Sequence, residues 1–132
     1  MSTSDPVPDK VELAREQLAR VQVAWLDPVD WSDLSLYGFY AVENAVAAAA
    51  DKAGVAWTQN HPSKVNASKK LHDQFGLPDV SSLLVELNDL RKATAYGETQ
   101  PSTSYSPEDI AIEVERFVEA AAIFVDVHGV EE

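Results

Sequence analysis

The sequence predicts an all-α protein, folded as an antiparallel up-and-down four-helix bundle with an additional short helix. Apolar residues recur at steps of three and four along five segments, which is the periodicity of helices with one buried face. No segment alternates apolar and polar residues as a half-buried strand would. Short connections favour antiparallel neighbours. The 132 residues suit one domain, with flexible ends expected at 1–8 and 128–132.

The first two helices are separated by a turn rich in capping groups. The first is predicted over residues 9–26 and ends at Asp27-Pro28. Acidic and hydroxyl side chains at 30–33 can cap a second helix over residues 34–53, which Gly54 closes. The second helix is apolar on almost every face, so we expect it to be the most buried one.

The third helix is predicted to be short and basic. Ser63 can cap it, it runs to Phe75, and residues 76–78 (Gly-Leu-Pro) break the chain. The fourth helix is predicted over residues 79–96, with Gly97 as its stop signal.

The fifth helix follows a segment, residues 97–105, that has no periodicity and predicts a flexible loop. Ser106 suits the N-cap and Pro107 the first helical position, with acidic residues in the first turn. We expect this helix to end near Gly129.

The charge is strongly acidic and unevenly distributed. The formal net charge is −12, which argues against a broad electrostatic grip on nucleic acid. Residues 52–92 are the exception, since six bases there face four acids. An RNA contact is therefore disfavoured but has one candidate region. Its basic residues are Lys52, Lys64, Lys69, Lys70, Arg91 and Lys92.

The composition predicts a soluble cytoplasmic protein that makes no use of a membrane. The chain has no cysteine, which excludes disulfides, thiolate metal sites and cysteine nucleophiles. The N-terminus has no basic-then-apolar leader, and no segment reaches the roughly 18 apolar residues of a membrane span.

Two charged residues lie out of place in apolar helices. Glu43 interrupts the most apolar helix, and Arg91 continues the apolar stripe of the fourth helix. A buried charge is costly unless it is paired, so each is the natural partner of the other. The pair would either hold the core together or line a polar cleft in which Glu43 orients Arg91 towards a phosphate.

A metal site is not expected. His61, His72 and His128 are far apart, and no histidine pair has the spacing that places two ligands on one helical face. His72 is expected to be a semi-buried, hydrogen-bonded histidine.

The order of several short segments resembles the HEPN domain over about residues 30–100. These segments are Phe39-Tyr40-Ala41-Val42-Glu43-Asn44-Ala45 in a long second helix, Gly54, His61 opening a basic helix that ends in Phe75, Leu87-Asn88-Asp89-Leu90-Arg91, and Tyr96-Gly97. HEPN proteins are helical bundles, commonly homodimers, often encoded beside a minimal nucleotidyltransferase in prokaryotic toxin–antitoxin and defence systems. Many are metal-independent endoribonucleases whose motif is an arginine, a polar residue and, a few residues later, a histidine.

The resemblance implies which residues would form the site. Arg91 matches the motif arginine, and Lys92 stands where a polar residue is common. Tyr96 stands where the catalytic histidine is expected, and tyrosine, which titrates near 10, is a poor general base compared with histidine near 6.5. The resemblance implies a catalytic role for Arg91 and Tyr96 only if the protein is an active ribonuclease. The remaining cleft residues would be Glu43, His61, Asn88 and Lys92, with no cofactor.

Two functions are compatible with this pattern. The first is a dimeric, non-catalytic interaction module that partners a nucleotidyltransferase or another protein, such as an antitoxin. The second is a metal-independent endoribonuclease in which Arg91 holds the scissile phosphate at a dimer cleft, with Tyr96 and His61 or His72 supplying acid–base chemistry. A purely structural Arg91–Glu43 pair is the third possibility.

Overall fold

The protein is all-helical in the part that the structure describes. A computed structural model describes the backbone of residues 9–130 and the side chains of residues 9–127, and contains no strand there. The five helices are α1 (Lys10–Ala24), α2 (Trp31–Ala53), α3 (His61–Phe75), α4 (Ser81–Ala95) and α5 (Pro107–Val130). The predicted all-α class is confirmed. Of the ends that we expected to be flexible, residues 1–8 and 131–132 lie outside the described residues, while residues 128–130 of the expected end at 128–132 belong to α5.

The second helix is the centre of the fold. α2 packs against each of the other four helices, while α1 also contacts α5 and α3 contacts α4. Every residue from Ala45 to Ala50 is buried, as the apolar sequence predicts for a central helix. None of the helices within residues 9–130 combines the length and the apolar character needed to cross a bilayer.

Side-chain caps move two helix starts from their predicted positions. α2 begins three residues before Leu34, because the Asp30 carboxylate accepts a hydrogen bond from the backbone N–H of Asp33 at 3.0 Å. The predicted cap of α3 at Ser63 is wrong. Asn60 caps this helix by accepting from the N–H of Ser63 at 2.8 Å, while the Ser63 hydroxyl accepts from the N–H of Thr58.

The start of α5 follows its sequence signal. Ser106 accepts a hydrogen bond from the N–H of Asp109 at 3.0 Å, and Pro107 is the first helical residue. The preceding loop is irregular, as predicted, but Pro101 is buried and Tyr105 packs against the core. Burial and nearby acidic residues raise the pKa of Tyr105 above its ordinary value.

The fourth helix is capped from outside its first turn. α4 begins at Ser81, two residues after the predicted start, and Asp79 accepts from both the N–H and the hydroxyl of Ser81, at 3.0 and 2.8 Å. These two hydrogen bonds, followed by the charges of His72 and Lys69, lower the pKa of Asp79 below its ordinary value. His72 itself is exposed and not semi-buried, and its Nδ1 bonds the carbonyl of Leu77 at 2.8 Å.

One glycine sets how closely three helices approach. A Cβ added at Gly38 in α2 would lie 3.3 Å from Leu87 of α4 and 3.7 Å from Val114 of α5. The missing side chain thus leaves room for both neighbouring helices. Glycine has a low helix propensity, and we infer that close packing of the three helices compensates for this cost at position 38.

Replacing Gly38 with valine should destabilise the protein by about 2 kcal/mol, because the added methyl groups must displace Leu87 and Val114 in a packed core. Urea unfolding measures the change. Gly38→Ala is the graded control, since one methyl needs only a small shift of Leu87 and alanine is the better helix former by about 1 kcal/mol. Equal losses in the two variants would contradict the packing explanation.

Asp79→Ala should lower the free energy of unfolding by about 1 kcal/mol at pH 7, because two hydrogen bonds at the start of α4 are lost. The lowered pKa of Asp79 means that its charge stabilises the fold above the unfolded-state pKa. That contribution disappears as the pH falls through the folded-state pKa. Asp79→Asn, which keeps an acceptor oxygen, should therefore differ from wild type at pH 7 and match it at strongly acidic pH. A difference in the free energy of unfolding between Asp79→Asn and wild type that does not change with pH would refute this explanation.

Candidate functional site

The out-of-place carboxylate of α2 is neutralised by α3. Glu43 and Lys64 are each only 9% exposed, and the Lys64 Nζ donates to the Glu43 Oε1 at 3.1 Å. A charge this deeply buried needs a close partner of opposite sign. The ion pair therefore fixes the first turn of α3 against the middle of α2.

The imidazole of His61 reaches the other oxygen of the same carboxylate without bonding it. Its Nδ1 lies 3.6 Å from the Glu43 Oε2, too far for a hydrogen bond, and this nitrogen is buried without a hydrogen-bond partner. His61 and Lys64 lie three residues apart at the start of α3, so they share a helical face. One carboxylate on α2 thus faces two basic side chains of α3.

A tryptophan covers the outer side of this ion pair. The Lys64 Nζ lies 5.7 Å from the centre of the Trp57 ring, and the Lys10 Nζ lies 5.9 Å from it. The Trp57 indole N–H donates to Asp51 at 2.8 Å, which fixes the ring. Both lysines are therefore within the range of a cation–π contact with one ring.

The predicted pair between Glu43 and Arg91 does not form. The Arg91 Nη2 donates instead to the Asn88 Oδ1 at 2.7 Å, and the guanidinium lies 4.7 Å above the Phe39 ring. The correction has a simple physical reason. Asn88 is on the same helix three residues earlier, and Lys64 already occupies the carboxylate of Glu43.

Arg91 retains an unneutralised charge in this arrangement. Among the described residues it forms no ion pair with a carboxylate, and its Nε is buried without a hydrogen-bond partner. The groups that contact the guanidinium are an amide oxygen and the face of an aromatic ring, and both stabilise a cation less than a carboxylate does.

Phe39 joins the two halves of the predicted cleft. Its ring centre lies 5.7 Å from that of His61 and 4.7 Å from the Arg91 guanidinium. We call Phe39, Glu43, His61, Lys64, Asn88 and Arg91 the Phe39 cluster. The structure therefore brings four predicted site residues into one neighbourhood, namely Glu43, His61, Asn88 and Arg91.

The other two predicted site residues lie outside this cluster. Tyr96 is 89% exposed at the end of α4, and Lys92 is also exposed. Five residues advance about 140° around a helix, so Arg91 and Tyr96 leave α4 in different directions. The motif arginine faces inward to Phe39, while the tyrosine in the position of the motif histidine faces solvent.

Sequence reasoning missed two members of the cluster. Phe39 read as an ordinary core residue, and Lys64 read as one base among several in a basic segment. The signal for Lys64 was its spacing from His61, because two basic residues three apart on one helix can share an acidic partner.

A separate surface cavity of about 550 Å³ lies at the end of α4 nearer Tyr96. It is lined by residues 28–32 before and within the first turn of α2, together with Thr94 and residues 97–99. Asp30 and Glu98 make its rim acidic, so it does not offer an anion site. Within residues 9–127 no three histidine or carboxylate side chains gather closely enough to hold a metal ion.

Comparison of the chain with protein-family models, with curated proteins and with solved structures finds no match. The geometry of the Phe39 cluster is therefore the basis for the functional inference that follows.

Lys64→Met should destabilise the protein by about 3 kcal/mol, because it leaves a buried carboxylate without its cation. The double variant Glu43→Leu with Lys64→Met should be close to wild type or more stable, since apolar side chains then replace both charges. Arg15→Met is the control, because it removes an exposed ion pair with Glu119 and should change stability by less than about 1 kcal/mol. Chemical denaturation of the four proteins tests this, and a double variant as unstable as Lys64→Met would contradict it.

Proposed function

We propose that this protein is a HEPN-like interaction module of a prokaryotic toxin–antitoxin or defence system. In this proposal its helices form an antiparallel up-and-down bundle, the chain forms a homodimer, and it does not cleave RNA. Its partner is a nucleotidyltransferase or another protein of the same system, such as an antitoxin. The all-helical fold and the order of the HEPN-like segments support this proposal.

The observation that carries the non-catalytic part is the exposed tyrosine, Tyr96, in the position of the motif histidine. A general acid or base must come within hydrogen-bond reach of the proton that it moves. Here the guanidinium is turned towards Asn88 and Phe39, while Tyr96 is 89% exposed. Among the described residues no hydrogen bond or ring contact joins the two side chains.

The acidic surface favours a protein partner. Residues 105–132 contain eight acids and one base, and most of this segment is α5. A surface of one sign attracts a partner of the opposite sign and repels nucleic acid. A protein with a basic face would therefore associate faster than an RNA would.

A ribonuclease remains the second candidate because of the unneutralised charge of Arg91. A guanidinium that lacks a carboxylate partner can still bind a phosphate. In this function Arg91 would hold the phosphate at a dimer cleft, and Tyr96, together with His61 of the Phe39 cluster or His72, would supply the acid–base chemistry.

Light scattering together with an RNA cleavage assay in EDTA should distinguish the two functions. We expect wild type to be dimeric and to leave a labelled mixed RNA pool intact, since the position of the motif histidine holds an exposed tyrosine, which is a poor general base. Cleavage by wild type that Arg91→Ala abolishes, and that the control Arg15→Ala at an exposed arginine outside the cleft preserves, would establish the ribonuclease instead. A strictly monomeric wild type at high micromolar concentration would refute the dimeric module.

A further inference from the structure

The outward face of α5 carries apolar side chains that no other helix within residues 9–130 covers. Ile112, Ile123 and Val127 are 44%, 63% and 53% exposed, although the opposite side of this helix is buried against α2. Isolated exposed apolar residues are common, but a row of them on one helix marks an interaction surface. We therefore expect another protein surface to pack against this row.

Two surface grooves make this row continuous. One of about 460 Å³ is lined by α5 residues alone, from Ile112 to Ile123. A second of about 380 Å³ shares Ala120 and Ile123 with the first and extends to Phe75 and Val127. The two grooves together run from the first half of α5 to the loop that follows α3, with charged residues between Ile112 and Ile123.

The spacing of four α5 residues is that of a helix-pairing seam. Ile112, Arg116, Glu119 and Ile123 follow one another at steps of four, three and four residues, and we call these four residues the α5 seam. Alternating steps of four and three place side chains at the core positions of a coiled coil. The two central positions are charged and of opposite sign, while the two outer ones are isoleucines.

This order has a two-fold symmetry that fits a second copy of the same chain. Ile112 and Ile123 lie equally far in sequence from the midpoint between Phe117 and Val118, and so do Arg116 and Glu119. An antiparallel copy centred at that midpoint would place each isoleucine beside the other isoleucine of the copy. It would likewise place each Arg116 beside a Glu119, as an isologous interface requires.

The contacts within the chain leave Arg116 and Glu119 accessible for pairing with a second copy. Arg116 forms no ion pair or hydrogen bond with the side chains of residues 9–127. Glu119 accepts from Arg15 at 3.2 Å, and that contact is exposed, with both side chains about half accessible. A second copy would therefore supply Arg116 with its missing carboxylate.

We infer that the α5 seam is the homodimer interface of this protein, with two antiparallel α5 helices held by two Ile112–Ile123 contacts and two Arg116–Glu119 ion pairs. This inference rests on the dimer of the proposed function and adds which surface forms it. The charge order selects a second copy because the same four residues complement themselves only in the antiparallel orientation.

Charge reversal tests the pairing directly. Arg116→Glu places four glutamates in a homodimeric seam, and Glu119→Arg places four arginines there. Each single variant should raise the dimer Kd by at least about tenfold, because like charges then face each other. An equimolar mixture of the two should form a heterodimer, since every arginine then meets a glutamate. The double variant, Arg116→Glu with Glu119→Arg, should also dimerise.

Three controls separate this effect from general ones. Glu119→Arg makes the chain less acidic, so a loss of dimer in that variant cannot come from stronger overall repulsion. Arg15→Met removes the intrachain contact of Glu119 and should leave the dimer intact. Val85→Glu places a charge at a comparably exposed apolar position on α4 and should also leave it intact.

Sedimentation equilibrium of all these proteins gives the outcome, with circular dichroism to confirm equal helix content. Recovery of the dimer only in the mixture and in the double variant supports the α5 seam. A wild-type dimer that neither single variant weakens would overturn the seam while leaving a dimeric module formed through another surface. A monomeric wild type would overturn both the seam and the dimer of the proposed function.

Discussion

The burial of α2 on nearly all its faces is the constraint on which the rest of the structure depends. Each of the other four helices packs against it, so its side chains decide how near each neighbour can come. The run from Ala45 to Ala50 offers small side chains there, and Gly38 offers none. Close packing of this kind gains dispersion contacts and excludes water, but it leaves no room for an unpaired polar group. The one buried charge of α2 therefore determines what its neighbour must supply.

Glu43 is that charge, and its burial explains the arrangement of α3. The carboxylate faces both Lys64 and His61, which belong to the first turn of α3. The first turn of α3 also contacts the preceding loop, because the Lys64 Nζ lies within cation–π range of the Trp57 ring. The basic character of α3 thus has a structural origin at its buried end. This reduces the part of the central basic segment that is available to bind a polyanion.

The helical class, the central helix and the α5 start could be predicted from the sequence because each depends on local signals. Periodicity identified the helices, and Ser106-Pro107 marked a start that the structure reproduces. The partner of Glu43 could not be predicted in the same way, since it depends on how α3 lies across α2. Arg91 shows the opposite case. Its bond to Asn88 and its divergence from Tyr96 both follow from spacing along one helix, so the sequence contained that information.

The acidic charge and the proposed self-association of α5 act at different distances. Two chains of net charge −12 repel each other, but at physiological ionic strength this repulsion is screened beyond about 8 Å. The distances between charges inside a seam are much shorter than that, so those interactions are screened less. The order of the charged residues in the seam therefore affects association more than the net charge of the chain does. Arg116 is the only base among residues 105–132, and it lies at the centre of the outward row of α5. In an antiparallel pair of α5 helices, the Arg116 of each copy lies opposite the Glu119 of the other. The contact surface of this acidic helix is therefore complementary to itself. The acidic residues around the contact still repel other acidic surfaces.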